Sequence, residues 1–310
     1  MNEIVRKEQI APQTWQLLVH APEIARRRKA GQFVVLRVHE KGERFPLTLV
    51  SSDPEAGAIE LIFQAVGHST RELAELEVGT STRLLAAMQP GQQILDLAGP
   101  LGRPTHIEQF GRCVVIGGGY GMAPVIPIAQ ALRDAGNELV GINGARSADN
   151  VILEDRLRAI CREVTVCTDD GTYGRKGFVT TVLQEMIEAG ERIDLVLAIG
   201  PTPMMRAVAN LTRPHGISTV VSLNPIMVDG TGMCGGCRVE VGGETKFACI
   251  DGPEFDAHQV DFDLLMRRQR MYDGLESDAT RMYEAHSTPL SEHPDGGCRC
   301  DEEAARDKPE

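Results

Sequence analysis

VVIGGGYGMAPVIPIAQAL, residues 114–132, carries an apolar run into Gly117, Gly118, Gly119, Tyr120 and Gly121 and then into a helical pattern. Glycines at such a junction let the backbone approach a pyrophosphate, and the amino end of the following helix favours its negative charge. The spacing is not the ordinary G-x-G-x-x-G: Gly117 and Gly119 fit it, but the third position is Met122 and no acid closes the second strand. A tight strand-to-helix turn without a ligand has the same local signature, so the neighbouring chain decides between the two. From 111 to 223 the apolar runs CVVIGGG, ELVGING, VTVCT, DLVLAIG and TVVSLN alternate with the helical stretches APVIPIAQALRDAG, EDRLRAICRE, FVTTVLQEMIEAG and PMMRAVANLT. Parallel strands need such crossovers, so a doubly wound parallel sheet is predicted, with a nucleotide at the carboxyl ends of its strands. Two more loops fall at those ends: Asp169, Asp170 and Gly171 after one strand, and Gly200 and Pro201 after the next, with Met204 and Met205 opening a helix. Each alone is ordinary turn chemistry or core filling, but three loops converging on one crevice mark a binding site. Arg146, after the second strand, is placed either to meet a 2′-phosphate or to sit in a solvated loop.

On the amino-terminal side, residues 1–110 read as short strands (TWQLLVHA, QFVVLRV, LTLVSS, AIELIFQAV and QQILDLAG) separated by Gly, Pro and Asp, which predicts a small antiparallel β-barrel. A helix is expected at STRELAEL, with Ser69 and Thr70 as N-caps. Arg44, Thr48, Ser69 and Thr70 fit a flavin and its diphosphate, but on the residues alone a barrel strand with a surface arginine and a capped helix is the preferred reading. On the carboxyl side, residues 224–270 form a Gly- and Cys-rich lobe too small to fold without a cross-link or cofactor, followed by a helical and then disordered tail over 271–310.

Composition narrows the function classes. The formal net charge is -12, RRRK at 26–29 is the one basic cluster, and aromatic residues make up 4%, so nucleic acid is not an expected partner. No apolar run of membrane-spanning length and no signal-peptide pattern is present, so a cytoplasmic protein without membrane contact is expected. Eight cysteines in a reducing compartment point to metal ligation rather than disulfides. Cys113, Cys161 and Cys167 lie in apolar patterns and are expected to be buried, while Cys298 and Cys300 in the tail receive no role.

Cys234, Cys237 and Cys249 lie in MVDGTGMCGGCRVEVGGETKFACIDGPEFD, residues 227–256. Plant-type [2Fe–2S] proteins space their ligands C-x₄-C-x₂-C with a distant fourth cysteine. Counting back from Cys234 reaches Asp229, so a carboxylate stands where the first thiolate is expected. An oxygen donor is harder than sulfur and should give the cluster a redox potential unlike that of an all-cysteine site. Zinc held by the three cysteines with Asp229 or His258 is the competing reading, although zinc usually takes a second close-spaced pair and Cys249 stands alone.

The ordered set ERFPLT, GHSTREL, GPLG, VVIGGGYGMAPV, TDDGTYGRKGFVT, GPTPMM and VDGTGMCGGCRVEVGGETKFACIDGPEFDAHQVDFD closely resembles one family. It is the small (alpha) subunit of NADH-dependent reduced ferredoxin:NADP oxidoreductase, also described as the sulfide dehydrogenase beta subunit, in the ferredoxin–NADP reductase superfamily. The resemblance runs to about residue 275. It implies FAD held around Pro46, Leu47, Thr48, Phe63, Gln64, Ser69 and Thr70, and NAD(H) or NADP(H) at Gly117 to Gly121, Asp169, Gly200 and Met204, with family precedent for NAD(H). It implies a [2Fe–2S] cluster on Asp229, Cys234, Cys237 and Cys249, and no acid–base or nucleophilic residue. It also implies a larger partner subunit similar to the glutamate synthase small subunit, with a second FAD and [4Fe–4S] clusters, reaching ferredoxin indirectly and coupling the pools by electron bifurcation. The electron-transfer subunit of dihydroorotate dehydrogenase B is similar throughout but has cysteine at the position of Asp229. That assignment is the alternative, and a redox-sensing module without turnover or a zinc-stabilised nucleotide scaffold are rivals of other classes.

Overall fold

Six strands near the amino terminus, β1 (Glu3–Ala11), β2 (Thr14–His20), β3 (Phe33–Arg37), β4 (Arg44–Asp53), β5 (Ala58–Gln64) and β6 (Asp96–Leu101), form one antiparallel sheet in the order β1-β2-β5-β4-β3-β6. The computed structural model describes residues 2–76, 78 and 96–287. Strand β4 turns the corner of this sheet: Arg44–Thr48 pair with β3, Leu49–Asp53 pair with β5, and a register shift separates Leu49 from Ser51. Such a bend curls a sheet around its own core. Ile4, Leu17, Val34, Leu36, Leu47, Leu49, Ile59, Leu61 and Phe63 fill that core. Because side chains alternate along a strand, Leu47 points inward while its neighbours Pro46 and Thr48 face the other way.

Two short helices, α1 (Pro22–Arg27) and α2 (His68–Glu75), accompany the sheet. The N-cap of α2 is Gly67, not Ser69 or Thr70. Thr70 stands at the third helical position, where its Oγ1 accepts the Gly67 N–H at 3.1 Å, so its hydroxyl supports the cap from inside the helix.

The second sheet has the order β10-β9-β8-β7-β11-β12-β15. It comprises β7 (Arg112–Gly118), β8 (Glu138–Ala145), β9 (Glu163–Thr168), β10 (Arg175–Lys176), β11 (Leu195–Ile199), β12 (Thr219–Ser222) and β15 (Glu254–Asp256), all parallel except β15, which runs antiparallel to β12. Helices α3 (Met122–Asp134), α4 (Glu154–Ile160), α5 (Val179–Glu188) and α6 (Thr202–Thr212) make the crossovers. Alternation sorts the faces: Cys113 and Val115 pack with Met122, Val125 and Leu157 of α3 and α4, whereas Val114 and Ile116 pack with Leu183 and Val208 of α5 and α6. Each fully buried aliphatic side chain contributes roughly 1.5–3 kcal/mol. That is why α3 tolerates Pro127 in its interior, a cost of about 3 kcal/mol, since residues 122–129 are buried almost without interruption.

The cysteine-rich segment does not form a core of its own. Strands β13 (Arg238–Val241) and β14 (Glu244–Phe247) make a hairpin through Gly242 and Gly243, both at positive φ, as a two-residue turn requires. Its buried residues Cys237, Val239, Val241 and Cys249 join the same apolar cluster as Val114, Val208, Leu223 and Phe33. Helix α7 (Phe262–Gln269) closes this cluster with Phe262 and Leu265, and Asp261 caps it by accepting the Leu264 N–H at 2.8 Å. Contacts divide the chain into Met1–Arg270 and Met271–Glu310, the latter containing α8 (Asp273–Ser287). Cys298, Cys300 and the predicted disordered stretch lie outside the described residues.

Candidate functional site

The sheet order places β8 and β9 on one side of β7 and β11 on the other, so the direction of winding reverses between β7 and β11. A crevice opens at the carboxyl ends of strands at such a point. The loops that leave β7 and β11 there are Gly119–Gly121 and Gly200–Pro201. They line a cavity of about 1150 Å³ that reaches the outward face of β4 and β5 at Pro46, Thr48 and Gln64. Single-ligand pockets hold roughly 300–1,000 Å³, so this space suits two ligands meeting end to end.

Met204 and Tyr120 shape its middle. The Met204 sulfur would lie 2.5 Å from a Cβ at Gly118, and its methyl 2.7 Å from one at Gly200, so both glycines make room for this side chain. Gly119 has φ +54 and nothing within 4 Å of an added Cβ. Tyr120 is half-buried, and its phenol lies against Thr48. Burial pushes that phenol up to about 12, with Thr48 pulling the other way. The glycine turn and β4 therefore touch directly, a contact that crosses the two sheets and has no local sequence signal.

The remaining predicted residues divide clearly. Asp169 lines the cavity from the end of β9. Leu47 and Phe63 lie in the barrel core, where they support the wall without facing the cavity. Ser69 is buried and donates to Glu43 Oε2 at 3.1 Å, and Thr70 is occupied with the cap. Arg44 pairs with Asp96 at 3.2 Å, beside Arg37 at 2.7 Å. Residues that local reading missed also line the space, notably Gly31 and Phe33 of the barrel and Leu223, Met227 and Pro253 of the cysteine-rich segment. They come from distant parts of the chain and carry no motif.

The cluster candidates gather as two pairs. The Asp229 carboxylate accepts the N–H groups of Thr231 at 2.9 Å and Cys234 at 2.8 Å, and these hydrogen bonds hold it below the usual carboxylate range. Cys237 Sγ donates to Cys249 Sγ at 3.1 Å, and the two are 2% and 1% exposed. Burial, then the Cys237 neighbour, pushes the Cys249 thiol up to about 12. Cys234 is exposed, and its Sγ accepts the Gly236 N–H at 3.4 Å. Among the described residues no three His, Cys, Asp or Glu side chains converge on one point as a single ion requires. Two donor pairs, one buried and one facing solvent, fit the two irons of a [2Fe–2S] group, with an amide directed at a ligand sulfur. His258 is not among them, since its Nε2 lies 2.9 Å from Thr212 Oγ1. Gly230, at φ +72, seats the loop on the barrel: a Cβ there would lie 2.9 Å from Val35 and 2.8 Å from Leu101.

One buried carboxyl sits between these parts. Glu254 on β15 accepts the Thr105 hydroxyl at 2.7 Å, and burial pushes it from an ordinary 4.5 up to about 7. A raised acid favours the protonated fold, so its stabilisation is full below pH 4.5 and is lost as pH rises towards 7. The difference corresponds to about 3 kcal/mol. Glu254→Gln is therefore expected to raise the thermal midpoint above neutrality and flatten its fall between mildly acidic and neutral pH. An unchanged pH slope in calorimetry would show that Glu254 ionises freely.

Comparison with known proteins adds three family models: an oxidoreductase FAD-binding domain over residues 2–106, an oxidoreductase NAD-binding domain over 115–210, and the iron–sulfur cluster binding domain of dihydroorotate dehydrogenase B over 224–261. A dihydroorotate dehydrogenase B (NAD(+)) electron transfer subunit homolog of Thermotoga maritima is 43% identical over 272 residues, covering 88% of this chain and 92% of that one. The corresponding electron transfer subunit of Geobacillus thermodenitrificans is 32% identical over 266 residues, covering 83% and 96%. The solved structure of NADH-dependent reduced ferredoxin-NADP oxidoreductase, described for flavin-based electron bifurcation, includes a chain 41% identical with a TM-score of 0.82, covering 91% of this chain and 98% of that one. No helix among the described residues is long and apolar enough to cross a membrane.

Proposed function

The chain belongs to the family of flavin and iron–sulfur electron-transfer subunits that includes those of dihydroorotate dehydrogenase B and of NADH-dependent reduced ferredoxin–NADP oxidoreductase, and from this premise we propose that it passes electrons from NAD(H) through FAD and a [2Fe–2S] cluster to a larger partner. One observation carries the reading. The cavity wall at Phe33, Leu223 and Met227 belongs to the same apolar cluster as the buried pair Cys237 and Cys249. Bound FAD supplies the exchange between two-electron transfer with nicotinamide and one-electron transfer with the cluster.

The chain's own groups bind and orient. Pro46, Thr48 and Gln64 form the flavin wall, backed by Leu47 and Phe63, and the diphosphate is assigned to the backbone at the start of α2 around Ser69 and Thr70, whose own hydroxyls are engaged with Glu43 and Gly67. Gly118 to Gly121, Gly200 and Met204 seat the pyridine nucleotide against it, with Gly117 packed behind them on Met122. Asp229, Cys234, Cys237 and Cys249 hold the cluster. By this assignment residues 1–110 serve FAD, 111–223 the nucleotide, 224–270 the cluster, and 271–310 is a separate tail.

The partner docks on the cluster loop, where Met233 is 89% exposed and Val228 and Ile250 are about half exposed beside the ligands. Exposed apolar residues grouped in this way mark a surface that another protein covers. We assign that role to a larger flavin and [4Fe–4S] subunit similar to the glutamate synthase small subunit, in the cytoplasm, with ferredoxin and any bifurcation on its side. Asp229 favours this complex over the dihydroorotate dehydrogenase type.

Anaerobic titration of the loaded chain with reduced pyridine nucleotide tests the path. Loss of both flavin and iron–sulfur absorbance is expected. A coloured, fully loaded protein whose flavin stays oxidised would overturn the reductase reading in favour of the sensing module.

A further inference from the structure

Two arginines grip the cysteine-rich loop by consecutive backbone carbonyls, between Cys234 and Cys237. Arg238, at the start of β13, donates from Nη1 to Gly235 O at 3.0 Å, and its own backbone N–H reaches the same oxygen at 3.4 Å. Arg268, in the last turn of α7, donates from Nη2 to Gly236 O at 3.0 Å. A trans peptide is planar with its N–H opposite its C=O, so fixing the oxygen fixes where the amide points. In the peptide between Gly235 and Gly236, the oxygen is the one that Arg238 holds and the N–H is the one that donates to Cys234 Sγ at 3.4 Å. Arg238, this peptide and the Cys234 sulfur therefore form one chain of hydrogen bonds in which each polarises the next. Arg268 holds the following peptide, whose N–H belongs to Cys237. Among the described residues neither guanidinium is paired with a carboxylate, although the chain carries a net charge of -12. Arg206, by contrast, approaches the same helix α7 and pairs with Asp263 at 2.9 Å.

Resting on the assignment of a [2Fe–2S] cluster to this loop, we propose that Arg238 and Arg268 are positioning residues that set its reduction potential: they turn the amides of Gly236 and Cys237 towards the cluster, and their charges stabilise the electron it receives from FAD. A cluster held by three thiolates and a carboxylate is already anionic when oxidised. Each electron it takes up adds one negative charge, with no bond made or broken, so a nearby cation favours the reduced form and raises the potential. Hydrogen bonds to the ligand sulfurs act in the same direction. Arg268 is half-buried and Arg238 is exposed, so solvent screens Arg268 less. A cation in the last turn of α7 also suits the end of the helix, but that role alone would leave the potential unmoved.

The test is a potentiometric titration of the full chain loaded with flavin and cluster, with dithionite as the electron source and low-temperature electron paramagnetic resonance reading the reduced cluster. Glutamine can still donate to a carbonyl but carries no charge. Arg268→Gln should therefore keep its iron and lose about tenfold in the equilibrium constant for taking up the electron, a fall of about 59 mV for a one-electron couple. Arg268→Lys should restore most of that loss. Arg238→Gln should lose about threefold at low salt, and this smaller effect should shrink at high salt while that of Arg268→Gln persists. A potential unmoved in Arg268→Gln, or lowered equally in Arg268→Lys, overturns the electrostatic role of Arg268, and an unmoved potential in Arg238→Gln at low salt overturns that of Arg238. Should Arg268→Gln shed its iron, Arg268→Lys decides alone: iron kept at nearly the unaltered potential supports the charge, and iron lost there too makes Arg268 a structural clamp. If the unaltered chain takes up flavin but no iron, the cluster assignment itself falls.

Discussion

Cys249→Ala is expected to yield a chain that keeps its flavin absorbance and loses its iron. Cys249 is 1% exposed and its sulfur lies 3.1 Å from that of Cys237, so nothing from solvent can reach in to replace it. On the proposed assignment the pair serves one iron, and losing one of its donors would leave a single thiolate where tetrahedral iron needs two protein ligands. The cavity left by one sulfur atom is small, and its packing cost is secondary. The larger loss is cluster binding, which for structural metals in small lobes is on the order of 10 kcal/mol. Hydrogen exchange should therefore rise in β13 and β14 while the parallel sheet keeps its protection, because β7, β8 and β11 have packing on both faces without the hairpin. Asp229→Cys provides the contrast. It should retain iron, since the exposed pair keeps two donors, and change the reduction potential. Iron analysis and low-temperature electron paramagnetic resonance would decide, and a full iron complement in Cys249→Ala would remove Cys249 from the ligand set.

How far the sequence could be read depended on whether the deciding contacts were local. The run from β7 through the glycines into α3 was legible because an apolar strand, a turn and an apolar helix follow one another within a few turns of chain. The candidate donors of the cysteine-rich loop stood out by their spacing, and the structure brings Asp229 beside Cys234 and Cys237 beside Cys249. Strand β1 was not legible, since it is a charged edge strand in which Ile4 is the sole fully buried residue and no alternation shows. The inward direction of Leu47 was available from period two alone, given Pro46 and Thr48 on the cavity side. The Tyr120 contact with Thr48, the Glu254 contact with Thr105 and the entry of Pro253 into the cavity wall were out of reach. Each joins segments brought together only by tertiary packing, and the side chains involved are ordinary in their own neighbourhoods.

Gly121→Val is expected to weaken pyridine nucleotide binding about 100-fold, equivalent to about 2.7 kcal/mol, while flavin and iron contents stay near normal. A Cβ at Gly121 would lie 2.3 Å from Ile199 O and 2.7 Å from both Ile199 C and Gly200 Cα. All three are backbone atoms of the neighbouring strand end, so no side chain can swing away. Relief requires the turn after β7 to move off the end of β11, and overpacking of this kind costs roughly 1–3 kcal/mol. The same displacement spreads the two loops that flank the crevice, so stability and nucleotide affinity should fall together. Gly119→Ala separates the two effects. Its added Cβ meets no protein atom within 4 Å, and the left-handed φ of +54 costs an alanine only about 1 kcal/mol. A ligand lying against the open side of Gly119 would nevertheless collide with that methyl. Gly119→Ala should therefore lower affinity for NADH well beyond its small effect on the thermal midpoint. Equal losses of affinity and stability in both variants would mean that the glycines serve only the turn, and the pyrophosphate would have to be placed elsewhere along the cleft.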